Sequence, residues 1–204
     1  MLHQGKPLLT IAVFASGRGS NFDALQRTIL KEHFPAQIAV VISNNSQSGV
    51  LELARSYNIP AVHLSQRQFP TAEAFQQKIL SVLHDHTVNF IVLAGYMKRI
   101  DQAIIRAYRQ RIINIHPALL PKYGGEGMYG MRVHEAVLKA SEKFSGATVH
   151  MVDEEYDHGK ILLQDIVEIE NGESPESLAA KVLKVEHRIL PEVVRMFAEG
   201  TLKK

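Results

Sequence analysis

Five short apolar runs, separated by four stretches with helical spacing, fill the chain from residue 8 to residue 115. Strands that alternate with helices pair in parallel, because each helix carries the chain back across the sheet. Parallel strands are covered on both faces. The runs at 8–15, 37–42, 61–64, 90–93 and 112–115 are accordingly apolar almost throughout, without a polar side. Helical spacing falls between them at 21–32, 49–57, 72–83 and 102–108. The expected class is α/β, a mostly parallel twisted sheet flanked by helices.

After residue 116 the pattern changes. Pro117, Pro121 and the glycines between 124 and 130 mark a long irregular loop, and long loops in compact folds often carry function. A helix is expected at 133–140, then a pair of strands at 147–152 and 161–169. Ser174-Pro175 fits an N-cap followed by proline at the first helical position, so a final helix should start there. Pro191 lies inside it and should kink or split it. No repeat, linker or low-complexity tract interrupts the chain, so residues 1–204 read as one domain.

Composition narrows the partners. With no cysteine there is no disulfide, thiolate nucleophile or thiolate metal site, which fits a reducing cytoplasm. A formal charge of +2 without a basic run argues against a nucleic-acid partner. The short polar start is unlike a signal peptide, and no apolar stretch reaches the roughly 20 residues of a membrane span. The expected partner is a small molecule.

Three segments carry chemistry. Residues 15–21, ASGRGSN, sit between the first strand and its helix. Glycine permits the sharp turn there, and free N–H groups at a helix start favour an anion. A dinucleotide site would want a third glycine where Phe22 stands and an acid after the second strand, where Ser43, Asn44 and Asn45 stand. A single phosphate fits better. At the end of the fifth strand, Asn114 and His116 are two residues apart and so share a side. An amide and a protonated imidazole together can polarise a carbonyl oxygen that becomes an oxyanion. Residues 153–159 carry four carboxylates between the last two strands. One of them folding back on His116 would raise its pKa and keep it charged; the residues alone do not say which. His84-Asp85-His86 reads as a solvated helix end, not a metal site, and His63, His134 and His187 have no partner that spacing assigns.

Taken together, SGRGSN at 16–21, VLAGYM at 92–97, NIHPALLP at 114–121, SGATVH at 145–150 and the DxG at 157–159 resemble the glycinamide ribonucleotide formyltransferases over nearly the whole chain. The resemblance implies a Rossmann-like formyltransferase fold with a phosphate-binding half at about 8–110, a catalytic and folate-binding half at about 90–170 and a C-terminal helix at about 175–200. It implies that Asn114, His116 and Asp157 are catalytic. Gly19, Ser20 and Asn21, with Phe22 and Asp23 alongside, would hold the substrate phosphate, and Glu186 the ribose hydroxyls. Met97, Lys98, Arg99 and Ile100, with Asn114, would line the folate pocket, and His150 would support the site. The co-substrate would be 10-formyltetrahydrofolate, with no metal, and the protein a cytoplasmic monomer or weak homodimer acting in purine synthesis.

Three positions depart from the family pattern. The loop YGGEGMYGM at 123–131 is longer and richer in glycine, His158 and Lys160 replace a common glycine and proline, and Ala72 replaces an arginine. A folate-tail contact is then either absent or supplied by Arg67. The rival readings are a formyltetrahydrofolate hydrolase, a methionyl-tRNA formyltransferase, or a non-catalytic nucleotide-binding module. The first two are expected to carry an additional regulatory or tRNA-binding domain, and the third predicts binding without turnover.

Overall fold

The computed structural model describes residues 7–202. In chain order its elements are β1 (Leu9–Phe14), α1 (Ser20–Glu32), β2 (Ala36–Ser43), α2 (Gly49–Ser56), β3 (Ala61–His63), a 3₁₀ turn (Gln66–Gln68), α3 (Ala72–Asp85), β4 (Phe90–Leu93), α4 (Gln102–Ala107) and β5 (Ile112–His116). They continue with α5 (Met131–Lys139), β6 (Phe144–Met151), β7 (Ile161–Glu168) and α6 (Pro175–Glu199). The strands form one sheet in the order β3-β2-β1-β4-β5-β6-β7. Pairing is parallel from β3 through β5 and antiparallel from β5 through β7. The expected mixed sheet is present.

Alternation along β1 shows why the strand is apolar on both sides. Ile11 and Val13 enter the core beneath α1, α2 and α6, while Ala12 and Phe14 enter the one beneath α3 and α4. The chain builds outward from β1 to β3, then returns to place β4 on the other side of β1. That reversal leaves a crevice outside the carboxyl ends of β1 and β4, where open α/β sheets bind ligands.

Two sequence expectations need correction. β6 begins at Phe144, ahead of its apolar run, because backbone pairing with β7 extends through Phe144, Ser145 and Gly146. Pro191 does not split the last helix, which runs unbroken from Pro175 to Glu199. A proline inside a helix costs about 3 kcal/mol. Burial of Ile189, Leu190, Val193 and Val194 around it, at roughly 1.5–3 kcal/mol each, is large enough to offset that. The start of α6 is as expected, with Ser174 Oγ accepting from the Ser177 N–H at 3.2 Å.

Gly19 shows how tightly the first loop is built. Its φ is +86°, and an added Cβ would lie 2.6 Å from Val50 Cγ2. Gly19→Ala is expected to destabilise the fold by about 1–3 kcal/mol, through both the left-handed backbone and the clash. An unchanged urea midpoint would show that the loop gives way instead.

Candidate active site

A cleft of about 780 Å³ opens at the carboxyl ends of β1, β4 and β5. One wall is the loop after β1. The N–H of Val50 donates to the Gly17 carbonyl at 3.1 Å, so the start of α2 braces this loop from behind. Gly19 caps α1 with no side-chain bond, leaving first-turn N–H groups beside the cleft, where helix polarity favours an anion. Arg18 lines the same wall, is exposed, and makes no ion pair among the described residues. Ser16 ties this wall to the next one. Its hydroxyl donates to Asn44 Oδ1 at 2.5 Å and accepts from the Met97 N–H at 2.8 Å, while its own N–H donates to the Gly95 carbonyl at 3.0 Å.

Gly19, Ser20 and Asn21 all line the cleft. The side chains of Phe22 and Asp23, the next two residues of α1, are engaged elsewhere. Phe22 is fully buried in the core with Leu25 and Ile29 on the inner face of α1. Asp23 is taken up by the Tyr57 hydroxyl at 2.6 Å and by Arg27 at 2.9 Å, and its N–H closes the first turn onto Gly19. Glu186 reaches the cleft from α6 and accepts from Asn21 Nδ2 at 2.5 Å. Burial pushes its carboxyl up to about 7, with the Asn21 bond only partly opposing.

The centre of the cleft is a cluster of four side chains. Antiparallel register sets Asn114 opposite His150 and His116 opposite Thr148. Asp157, itself in a left-handed backbone state at φ +53°, folds back onto this pair. Its carboxylate accepts from Gly125 N–H at 3.0 Å and Asn114 Nδ2 at 3.4 Å, and lies 3.6 Å from His116 Nδ1 and 3.5 Å from His150 Nε2. His150 Nδ1 donates to the Met151 carbonyl at 2.8 Å, and its Nε2 lies 3.1 Å from Asn114 Nδ2. Thr148 anchors the loop that follows, accepting from Leu120 N–H at 3.1 Å and donating to the Ala118 carbonyl at 2.6 Å.

The electrostatics of this cluster differ from the sequence expectation in one respect. His116 has its pKa lowered, not raised: burial outweighs both the Asp157 charge and the bond to the Tyr123 carbonyl, and nearby His150 adds to the depression. For Asp157 burial pulls upward, but His150, His116 and the Gly125 N–H together hold it below the usual carboxylate range. In the free site the carboxylate is therefore the charged member, and the imidazole takes its proton less readily.

The opposite wall carries Met97, Lys98, Arg99 and Ile100. Met97, Tyr129 and Met131 form an exposed apolar rim, the kind of surface that receives a flat heterocycle. Arg99 donates to the Glu154 carbonyl at 2.9 Å and lies 5.3 Å above the Tyr156 ring, tying this wall to the loop that carries Asp157. Arg67 is exposed on the 3₁₀ turn and lines neither this cleft nor the adjoining hollow of about 280 Å³, whose lining includes Ala72. Sequence reasoning missed Ser16, Arg18, Tyr123 and Gly125. The last two act through backbone groups, which leave no side-chain signal.

The formyl transferase family profile matches residues 9–194. The chain is 37% identical over 184 residues to the phosphoribosylglycinamide formyltransferase of Bacillus subtilis, an alignment covering 90% of this chain and 92% of that protein. It is 40% identical over 194 residues to the chloroplastic enzyme of that name from Arabidopsis thaliana, covering 95% of this chain but only 66% of the longer plant protein. The crystal structure of phosphoribosylglycinamide formyltransferase from Brucella melitensis superposes with a TM-score of 0.87 at 38% identity, covering 94% of this chain and 96% of that one. The chain belongs to the formyl transferase family and, within it, to the phosphoribosylglycinamide formyltransferases.

Proposed function

We propose that this protein transfers the formyl group of 10-formyltetrahydrofolate to the amine of glycinamide ribonucleotide, a step of de novo purine synthesis. The observation that carries the reading is the convergence of Asn114, His116 and Asp157 in one cleft with the open start of α1. The α1 N-terminus, with Ser20 and Asn21, would hold the phosphate, and Glu186 the ribose hydroxyls. The apolar rim with Met97 and Ile100 would receive the folate.

In this scheme the neutral amine attacks the formyl carbon; a C–N bond forms and the carbonyl electrons move onto oxygen. Asn114 and the protonated ring of His116 donate to that oxygen, contributing about 3–4 kcal/mol each. Asp157 stabilises the ring as it charges, which its low pKa allows, and accepts the proton that the amine sheds. The proton then passes to the leaving folate nitrogen as its bond to carbon breaks. Holding both substrates in one cleft supplies the orientation term.

The test incubates the purified protein with 10-formyltetrahydrofolate, with and without the ribonucleotide, and follows tetrahydrofolate release. Release that depends on the ribonucleotide supports transfer. Release without it identifies a hydrolase, and no release identifies a binding module.

A further inference from the structure

Tyr123, at the start of the loop over the catalytic cluster, has φ +57°. The left-handed region is unfavourable for a residue with a side chain and persists only where the surroundings impose it. Here they do. The Tyr123 hydroxyl donates to Glu142 Oε1 at 3.0 Å, the Lys122 ammonium reaches the same oxygen at 2.8 Å, and the ring packs against the core. The two donors, Lys122 first and Tyr123 second, hold the Glu142 carboxyl below its ordinary range, so it stays an acceptor. The turn directs the Tyr123 carbonyl onto His116 Nε2 at 2.7 Å. A carbonyl only accepts, so Nε2 carries the proton. That leaves Nδ1 facing Asp157 across 3.6 Å, too far for a direct hydrogen bond.

We propose that Glu142 and Tyr123 are a positioning pair: the carboxylate fixes the tyrosine turn, the turn fixes the His116 tautomer, and Nδ1 is thereby the ring nitrogen that takes the second proton and, in the charged ring, donates to the formyl oxygen beside Asp157. The rate consequence rests on the transfer reading; the tautomer does not. The titratable groups facing His116 are Asp157 from the loop after β6, His150 on β6 and His134 on α5, the last also in charge contact with it.

The decisive measurement is ¹⁵N NMR of the His116 ring in the substrate-free protein, with steady-state kinetics across pH. Wild type should show the proton on Nε2, and Tyr123→Phe and Glu142→Ala a mixture of tautomers. Both variants should lose kcat by about 10- to 100-fold with KM for each substrate little changed. Their alkaline limb should move to lower pH, because a contact favouring the charged ring is gone. Glu142→Gln, which can still accept from the tyrosine, should keep most of the rate and the wild-type tautomer. The proposal fails if wild type carries the proton on Nδ1. It fails equally if Tyr123→Phe keeps the wild-type tautomer and pH profile, whatever its rate. Absence of transfer by the wild type would sink the transfer reading alone, since the ring spectrum still decides this point.

Discussion

Asp157→Asn should lower kcat on the order of 10³-fold while leaving the fold intact. The change is nearly isosteric, and an asparagine oxygen can still accept from the Gly125 N–H that now holds the carboxylate at 3.0 Å. What disappears is charge. His116 is already depressed by burial, and Asp157 is the largest influence acting against that depression. Without it the ring would be harder still to protonate just when an oxyanion develops, and the amine's proton would lose its nearest base. Single-turnover rates with both substrates, alongside a thermal melt, separate the two effects. A variant that melts like wild type and retains more than about a tenth of its rate would remove Asp157 from the chemistry. His116→Ala tests the same centre from the other side, and its loss should not add to that of Asp157→Asn, because the two act as one unit.

The sheet was legible because its signal is repeated: apolar runs such as FIVL at Phe90–Leu93 allow little but a buried strand. The juxtaposition of Asn114 and His116 was legible too, since strand geometry alone puts them on one side. The choice of carboxylate was not. Four acids share the loop at 153–159, and only a fold that turns Asp157 left-handed and presents Gly125 to it distinguishes one. The pKa of His116 went the other way because it depends on how thoroughly the fold buries the ring, and sequence carries no measure of that burial. The burial of Phe22 was legible as well: its spacing to Leu25 and Ile29 is that of a helix's inner face, so periodicity places its side chain in the core.

Glu186→Gln should stabilise the protein at alkaline pH and weaken ribonucleotide binding together. Burial raises the Glu186 carboxyl from 4.5 to about 7, so the folded state binds its proton more tightly than the unfolded chain does. The sign follows from that. Its contribution is fully present below about pH 4.5 and is lost as the pH climbs through about 7, where the folded protein must carry a buried charge. The penalty at pH 8.5 is roughly 3 kcal/mol, since each tenfold gain in proton affinity on folding is worth about 1.4 kcal/mol. Glutamine removes the ionisation and can still accept the Asn21 bond now at 2.5 Å. Urea midpoints should therefore nearly coincide at pH 5 and separate in the variant's favour at pH 8.5. Parallel stability curves for the two proteins would mean that Glu186 titrates normally. If Glu186 holds the ribose hydroxyls as proposed, the same substitution replaces an anionic acceptor with a neutral one, so KM for the ribonucleotide should rise by about tenfold while KM for the folate stays put. On the proposed role, the buried acid lowers the stability of the fold in exchange for grip on the substrate, and a variant gaining stability with no loss of grip would show that the acid has some other purpose.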